Sequence, residues 1–180
     1  MVVIATLDAG SFPVLQGPAG PFFVKPPLWY YLTLASVRLG GLNARSLRLV
    51  TAFSGFLLIL LVGVATARFH SVLAGYAASG FLLAVGHLFF FKPYGVFTTH
   101  HIRSADSDIL QALFMFAAFF AFSFVRPDRH AGLYAGAALA GLAVLTKGPL
   151  GVLPVLVFGL HQVISRREDR LGLRPALLAG

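Results

Sequence analysis

The chain has 180 residues, of which 58% are hydrophobic and 11% are charged, and its mean hydropathy is +0.84. Soluble domains carry about 25% charged residues, so this composition indicates an integral membrane protein. The sequence contains no cysteine, which excludes disulfides, thiolate metal sites and a cysteine nucleophile. The net charge of +8 comes from basic residues between apolar runs. This pattern indicates anionic lipid and membrane topology, and we expect no nucleic-acid partner.

The first part of the chain is predicted to lie outside the bilayer. Residues 1–24 contain no segment long enough to span, and the glycines and prolines of 17–21 are typical of a loop. Residues 28–37 form a ten-residue aromatic and apolar run that is also too short to span. Such a run fits a helix in the membrane plane. We therefore assign residues 1–44 to an outer-face loop with an interfacial amphipathic helix.

Five apolar segments follow, and each is predicted to be a transmembrane helix. They cover residues 49–67, 71–91, 109–125, 131–146 and 148–165. The predicted fold is an all-α, polytopic transmembrane helical bundle over residues 45–165, followed by a basic tail or loop over 166–180. Basic residues divide evenly between the two membrane sides. We place the tail in the cytoplasm because it is a dense cluster of arginines, as expected of a cytoplasmic face. The side that carries all three lysines then lies outside, where its cations are kept for function.

The stretch Lys25-Pro-Pro-Leu-Trp-Tyr-Tyr-Leu joins a cation to two rigid prolines and an aromatic run. Proline fixes its own φ and keeps the preceding residue extended, which gives the Lys25 side chain a defined direction. Aromatic runs of this type lie at membrane–water boundaries. A lysine held there suits a lipid phosphate, although a lysine snorkelling from an interfacial turn explains the same pattern. We add Tyr30 to the candidate phosphate-binding residues.

Further ionisable residues fall on the same predicted side. Asp108 immediately precedes the third span, where a helix dipole favours a carboxylate, and simple capping by Ser107 and Asp108 is the alternative. Lys147-Gly148-Pro149 has the form of a helix end followed by a helix start, which accounts for Gly and Pro but not for Lys. The adjacent pair His100-His101 suggests a metal site, yet no third ligand is evident.

Lys25, Arg103 and Lys147 on one membrane side suit a phosphate or diphosphate. A nearby carboxylate, Asp108, could act as general base or orient an acceptor. Together these residues indicate transfer chemistry on a lipid-linked phosphate.

The order of these motifs resembles glycosyltransferase family 39, of the GT-C class, which includes protein O-mannosyltransferases and lipid A aminoarabinose transferases. The resemblance rests on Lys25-Pro-Pro-Leu-Trp-Tyr-Tyr-Leu, on Arg103 with Asp108, and on Leu145-Thr-Lys-Gly-Pro-Leu. It implies transfer of a sugar from a polyprenyl-phosphate carrier to a lipid, protein or glycan acceptor at the outer face of a bacterial cytoplasmic membrane. In that family Lys25 would bind the carrier phosphate, Asp108 would be a second-site carboxylate, and Lys147 would line the same cavity.

The sequence departs from the family pattern at two places. The acidic pair that follows the first helix in relatives would fall before Met1, so an internal or N-terminally truncated fragment is expected. Val24 stands where many relatives have glutamate before Lys-Pro-Pro. We predict no cofactor, with a divalent metal still possible. The alternatives are a small anion transporter or channel subunit, and a non-catalytic lipid-phosphate-binding protein.

Overall fold

The structure is a computed structural model and describes residues 2–85, 105–125 and 130–171. Within these ranges the chain forms seven α-helices, one 3₁₀-helix and one small hairpin. The α-helices are α1 (Val2–Ala9), α2 (Leu28–Gly40), α3 (Ala44–Phe69), α4 (Val72–Ala84), α5 (Asp108–Phe122), α6 (Ala131–Lys147) and α7 (Leu153–Leu171). The 3₁₀-helix is Pro149–Val152, and the antiparallel strands are β1 (Gln16–Gly17) and β2 (Gly20–Pro21). The all-α prediction is confirmed.

The N-terminal region is more ordered than the predicted loop. Its helix and hairpin fold back onto α2, where Val3 and Leu15 pack against Leu34 and Val37. The buried hydroxyl of Thr6 accepts a hydrogen bond from the backbone N–H of Gln16, at 2.9 Å. These contacts are made with residues distant in sequence, so the glycines and prolines of the hairpin could not reveal them. The predicted interfacial helix is confirmed as a helix and corresponds to α2.

Each of the five predicted spans coincides with an apolar helical segment. Among the described helices only α3, with 26 residues and a hydropathy of 2.3, has the length and composition to cross a membrane. The other apolar segments are shorter: Val72–Ala84, Asp108–Phe122, Ala131–Lys147 and Pro149–Ser165. The second predicted span continues beyond Ala84 into residues outside the described ranges. The number of crossings therefore stays a prediction.

Helix α3 has one face of large exposed apolar side chains. Phe53, Phe56, Leu60 and Val64 recur every three or four residues along it and are all exposed. A continuous apolar stripe of this kind is unfavourable in water and suits contact with lipid or another apolar surface. Gly63 lies at the edge of this stripe, beside Leu60 and Val64, and its lack of a side chain allows α4 to approach closely there.

Helices α5 and α6 are antiparallel neighbours and form the centre of the bundle. The ring of Phe122 stacks on Phe158 of α7, with centroids 4.6 Å apart, and lies against Gly136 of α6. Ala118 and Ala140 are buried in the same cluster. Because the two helices run in opposite directions, the first residue of α5 lies beside the last residue of α6.

Candidate functional site

The C-terminus of α6 places a lysine at a turn that requires glycine. Lys147 is the last residue of the helix, and Gly148 follows with φ +118° and ψ −157°. A residue with a Cβ rarely adopts this positive φ, whereas glycine does so readily. Pro149 then begins the 3₁₀-helix. Lysine at this position is also favoured by the negative end of the helix dipole.

Asp108, the first residue of α5, forms an ion pair with Lys147 through its carboxylate oxygen Oδ1 and the lysine Nζ. Both side chains are partly exposed, at 24% for Asp108 and 33% for Lys147. Ser107 occupies the N-cap position and makes no side-chain capping bond. The carboxylate of Asp108 thus contacts a residue from another helix.

A second contact lies one helical turn deeper between α5 and α6. The side-chain amide of Gln111 donates to the carbonyl oxygen of Ala143 over 3.4 Å, and Gln111 is buried. Gln111 follows Asp108 by one turn, and Ala143 precedes Lys147 by one turn. The two contacts therefore fix the same axial register of the antiparallel helices.

Lys147 also lines a cavity of about 740 Å³ together with Lys25. Three stretches of the chain form this cavity: residues 13–15 of the N-terminal region, residues 22–27 with Tyr31, and residues 147–149. Lys25 is exposed to it, and Pro26 and Pro27 connect it directly to α2. The structure thus brings together three of the predicted site residues, Lys25, Asp108 and Lys147.

The N-terminal wall of the cavity is fastened to α2 by side-chain contacts. The hydroxyl of Tyr31 donates to the carbonyl oxygen of Pro13 at 2.8 Å. The ring of Phe12 meets Tyr31 edge-on, and the Arg38 guanidinium lies 5.1 Å from the Phe12 ring centroid. These contacts hold the residues that face Lys147 across the cavity.

Tyr30 occupies a different environment from its neighbour Tyr31 and is not among the residues that line the cavity. Its ring lies edge-on to Phe22 and Trp29, with centroids 5.4 and 5.1 Å away. Burial, and to a lesser extent the carboxylate of Asp106, raise the pKa of the Tyr30 phenol, so it is neutral at physiological pH. A binding role for Tyr30 stays a prediction. Tyr31 is one cavity residue that sequence reasoning missed, because the register of α2 after Pro27 decides which tyrosine faces the cavity.

A buried hydroxyl, also missed from sequence, connects α2 with the segment before α5. Thr51 of α3 accepts a hydrogen bond from the indole N–H of Trp29 at 3.4 Å and donates to the carbonyl oxygen of Asp106 at 2.7 Å. The backbone N–H of Ser107 in turn donates to Oδ1 of Asp106 at 2.6 Å. A threonine within an apolar run gives no sequence signal of such a contact.

Arg103, His100 and His101 lie outside the described residues, so their predicted roles are untested. Within the described ranges, no group of three or more His, Cys, Asp or Glu side chains could hold a metal ion.

The sequence of residues 24–179 matches the dolichyl-phosphate-mannose-protein mannosyltransferase family. The match covers most of the chain, and the protein belongs to this family. The membrane glycosyltransferase resemblance predicted from the three motifs is thereby confirmed. No curated protein sequence matches the chain.

Two solved structures of ArnT from Cupriavidus metallidurans are similar to this fold. The apo structure superposes with a TM-score of 0.75 at 24% identity and covers 98% of this chain. The structure bound to undecaprenyl phosphate has a TM-score of 0.70 at 25% identity and covers 92%. The matches cover 32% and 30% of the ArnT chain, so the protein described here spans about a third of its length.

Proposed function

We propose that this chain forms the carrier-binding part of a polyprenyl-phosphate-dependent membrane glycosyltransferase. In this proposal the cavity between α2 and the α6 turn binds the phosphate of the lipid carrier. The observation that carries the proposal is that Lys25 and Lys147, far apart in sequence, line one cavity. Support comes from the family match and from a similar ArnT structure that holds undecaprenyl phosphate.

The charges of the cavity suit a phosphate. Lys25 is exposed to the cavity and can donate to a phosphate oxygen, a charge-assisted bond stronger than one between neutral groups. Lys147 contributes a second cation whose position is fixed by Asp108. Two lysines with one carboxylate leave a net positive charge, to which Arg103 would add.

The surface beside Lys25 suits the hydrocarbon chain of such a carrier. Phe23 and Val24 are 83% and 82% exposed and directly precede Lys25. Apolar side chains next to a cation match a ligand with a phosphate at one end and an isoprenoid tail at the other. The tail would lie along this apolar edge, with the phosphate on the lysines.

Asp108 has two roles in this proposal. It holds Lys147 in place, and its carboxylate would orient or deprotonate the acceptor during sugar transfer. The sugar donor is a polyprenyl-phosphate-linked sugar, and the acceptor is a lipid, protein or glycan. We place the cavity at the outer face of the cytoplasmic membrane and the tail of residues 166–180 in the cytoplasm, with five crossings over residues 45–165.

Binding of undecaprenyl phosphate tests the proposal. We expect the chain in detergent micelles to bind this lipid more tightly than undecaprenol, which lacks the phosphate, in isothermal titration calorimetry. Lys25→Ala should weaken binding about tenfold or more, since a hydrogen bond to a charged group contributes roughly 1.5–3 kcal/mol. Arg48→Ala removes an exposed cation that does not line the cavity and should leave binding within about twofold. Equal affinity for the phosphate and the alcohol, or equal effects of the two variants, would contradict the proposal.

A further inference from the structure

We propose that Thr51 is a positioning residue that sets the spacing between the two lysines of the cavity. This inference rests on the proposed function, because it assumes that a lipid phosphate contacts Lys25 and Lys147 together. Thr51 lies in α3, outside the cavity and fully buried at 0% exposure. It acts through the backbone segments that carry Lys25 and Asp108.

The hydroxyl of Thr51 joins two segments that lead directly to the site. On one side it accepts from the indole N–H of Trp29, the second residue of α2. Pro26 and Pro27 each fix their own φ, so the position of Trp29 restricts where the backbone of Lys25 can lie. On the other side it donates to the carbonyl oxygen of Asp106, two residues before Asp108.

The segment around Asp106 is connected to α3 by this contact. Asp106 lies just outside α5, two residues before Asp108, and its carbonyl oxygen accepts from the Thr51 hydroxyl. At 2.7 Å the Thr51 hydroxyl is well placed to hold it. Asp108 follows at the start of α5 and pairs with Lys147. The hydrogen bond from Thr51 to Asp106 therefore helps to position the second lysine.

Three other buried hydroxyls among the described residues make a different type of bond. Thr33, Ser54 and Thr146 each donate to the carbonyl oxygen four residues earlier in their own helix, at 2.9, 2.6 and 2.8 Å. Such bonds satisfy the hydroxyl without connecting separate elements. Thr51 instead donates to a residue 55 positions away and accepts from one 22 positions away. The bonds of Thr51 to two other segments are what a positioning residue requires, whereas a bond within one helix only satisfies a buried hydroxyl.

An apolar cluster supports the same connection. The Trp29 side chain packs with Leu110 and Leu113 of α5, so α2 and α5 touch directly beside the Thr51 contact. The cluster supplies attraction without direction, whereas the hydroxyl makes directional bonds to the Trp29 indole and to the Asp106 carbonyl. Removing the hydroxyl while keeping the volume should therefore leave the fold in place and loosen the spacing of the lysines.

The test compares Thr51→Val, Thr51→Ser and Thr33→Val. Both valine variants remove a hydroxyl from a threonine with 0% exposure, but only Thr51 connects two elements to α3. Binding of undecaprenyl phosphate is measured by isothermal titration calorimetry in detergent micelles, and thermal unfolding of each variant is followed in the same micelles. We expect Thr51→Val to weaken binding about tenfold, with Thr51→Ser and Thr33→Val within about twofold of the wild type.

A double-mutant comparison with Lys147→Ala separates positioning from a general loss of stability. If Thr51 aligns the two lysines, Lys147→Ala should weaken binding about tenfold in the wild-type background and less than about threefold in the Thr51→Val background. Equal effects of Lys147→Ala in both backgrounds would overturn the inference. If Thr51→Val does not fold, Trp29→Phe replaces it, because phenylalanine keeps an aromatic ring in the cluster but lacks the indole donor. The inference would also be overturned if Trp29→Phe bound the lipid as tightly as the wild type does and Lys147→Ala weakened binding equally in both backgrounds.

Failure of this inference is distinguishable from failure of the proposed function. Should Lys25→Ala abolish binding while Thr51→Val binds as the wild type does, the phosphate site stands and the role of Thr51 is refuted. Should the wild-type chain fail to prefer undecaprenyl phosphate over undecaprenol, the phosphate site itself is refuted, and the role of Thr51 with it. The single tryptophan of the chain, Trp29, provides an independent readout. Its fluorescence emission should shift in Thr51→Val, which removes the acceptor of the indole N–H, and should shift less in Thr33→Val, because the Thr33 hydroxyl bonds to the backbone carbonyl of Trp29 and not to its indole.

Discussion

Asp108 and Lys147 form an ion pair between the first residue of α5 and the last residue of α6. Each charge is favoured by the dipole of its own helix, the carboxylate at an N-terminus and the ammonium at a C-terminus. The buried contact from Gln111 to Ala143 keeps the helices in the register that the pair requires. Lys147 faces both Asp108 and the cavity, so in the proposed site a phosphate and the carboxylate would share the same ammonium group.

Asp108→Asn should therefore keep the affinity for undecaprenyl phosphate or raise it up to about threefold, because the amide oxygen can still accept a hydrogen bond from Lys147 and hold it in place but no longer neutralises its charge. Sugar transfer by an enzyme that contains this segment should fall, since the amide cannot accept a proton. Calorimetric titration in micelles measures the first effect. Asp8→Asn, at an exposed position of α1, is the matched control. A tenfold loss of affinity in Asp108→Asn would show that the carboxylate contributes to binding mainly by ordering Lys147.

The close approach of α3 and α4 gives a prediction about stability. A Cβ at Gly75 would lie 2.6 Å from the carbonyl oxygen of Gly63 and 2.7 Å from the Cβ of Ala67. Gly75→Ala should therefore force the helices apart and destabilise the protein by about 1–3 kcal/mol. Thermal unfolding in micelles measures the change.

Gly80→Ala is the matched control for Gly75, because Gly80 lies in the same helix and a methyl group added there would meet nothing within 4 Å. This substitution should stabilise the helix by about 0.5–1 kcal/mol, the usual gain of alanine over glycine. A similar change in melting temperature for both variants would mean that α3 and α4 are not in close contact.

Tyr30 gives a prediction about alkaline pH. Its phenol has a pKa raised above 10.0 in the folded protein, by burial and by the Asp106 carboxylate. Between the pKa of the unfolded chain and that of the folded chain, the folded state binds more protons, so its stability falls as the pH rises. The contribution of the protonated Tyr30 phenol to the stability of the folded state is complete below a pH of about 10. It is lost as the pH rises through the pKa of the folded state.

The pH effect is measured by thermal unfolding in micelles between pH 8 and pH 11, a range of about one to two units around the usual tyrosine pKa. Tyr30→Phe has no phenol at this position, and its melting temperature should fall less over this range than that of the wild type. Tyr134→Phe removes a hydroxyl at an exposed position and serves as the control. Identical pH profiles for Tyr30→Phe and the wild type would refute a raised pKa at Tyr30.

Much of the helical organisation could be predicted from the sequence, because apolar runs bounded by Arg, Lys, Gly and Pro mark helix ends directly. The motifs around Lys25 and Lys147 were also evident, since a cation beside proline or glycine is unusual next to an apolar run. The predicted topology placed both lysines on one membrane side, and the family resemblance placed them in one cavity. Their meeting there depends on the packing of α2 against α6, and no local pattern encodes that contact.

The features that sequence reasoning missed depend on the orientation of single side chains. Tyr30 and Tyr31 are adjacent and chemically identical, and only the register of α2 places Tyr31 in the cavity wall. Thr51 resembles Thr33 in sequence context, yet one bonds between elements and the other within its helix. The N-terminal hairpin is stabilised by packing on α2, which outweighs the weak helix and strand signals of so short a segment.

Helix α2 connects the two walls of the cavity. The N-terminal hairpin is fastened to it through Tyr31 and Phe12, while α3 and α6 pack against its other side. A small tilt of α2 would carry Lys25 and the hairpin together and change their separation from Lys147. In the proposed site, the angle of this one helix would therefore set the distance between the two lysines, and with it the size of the anion that could bridge them.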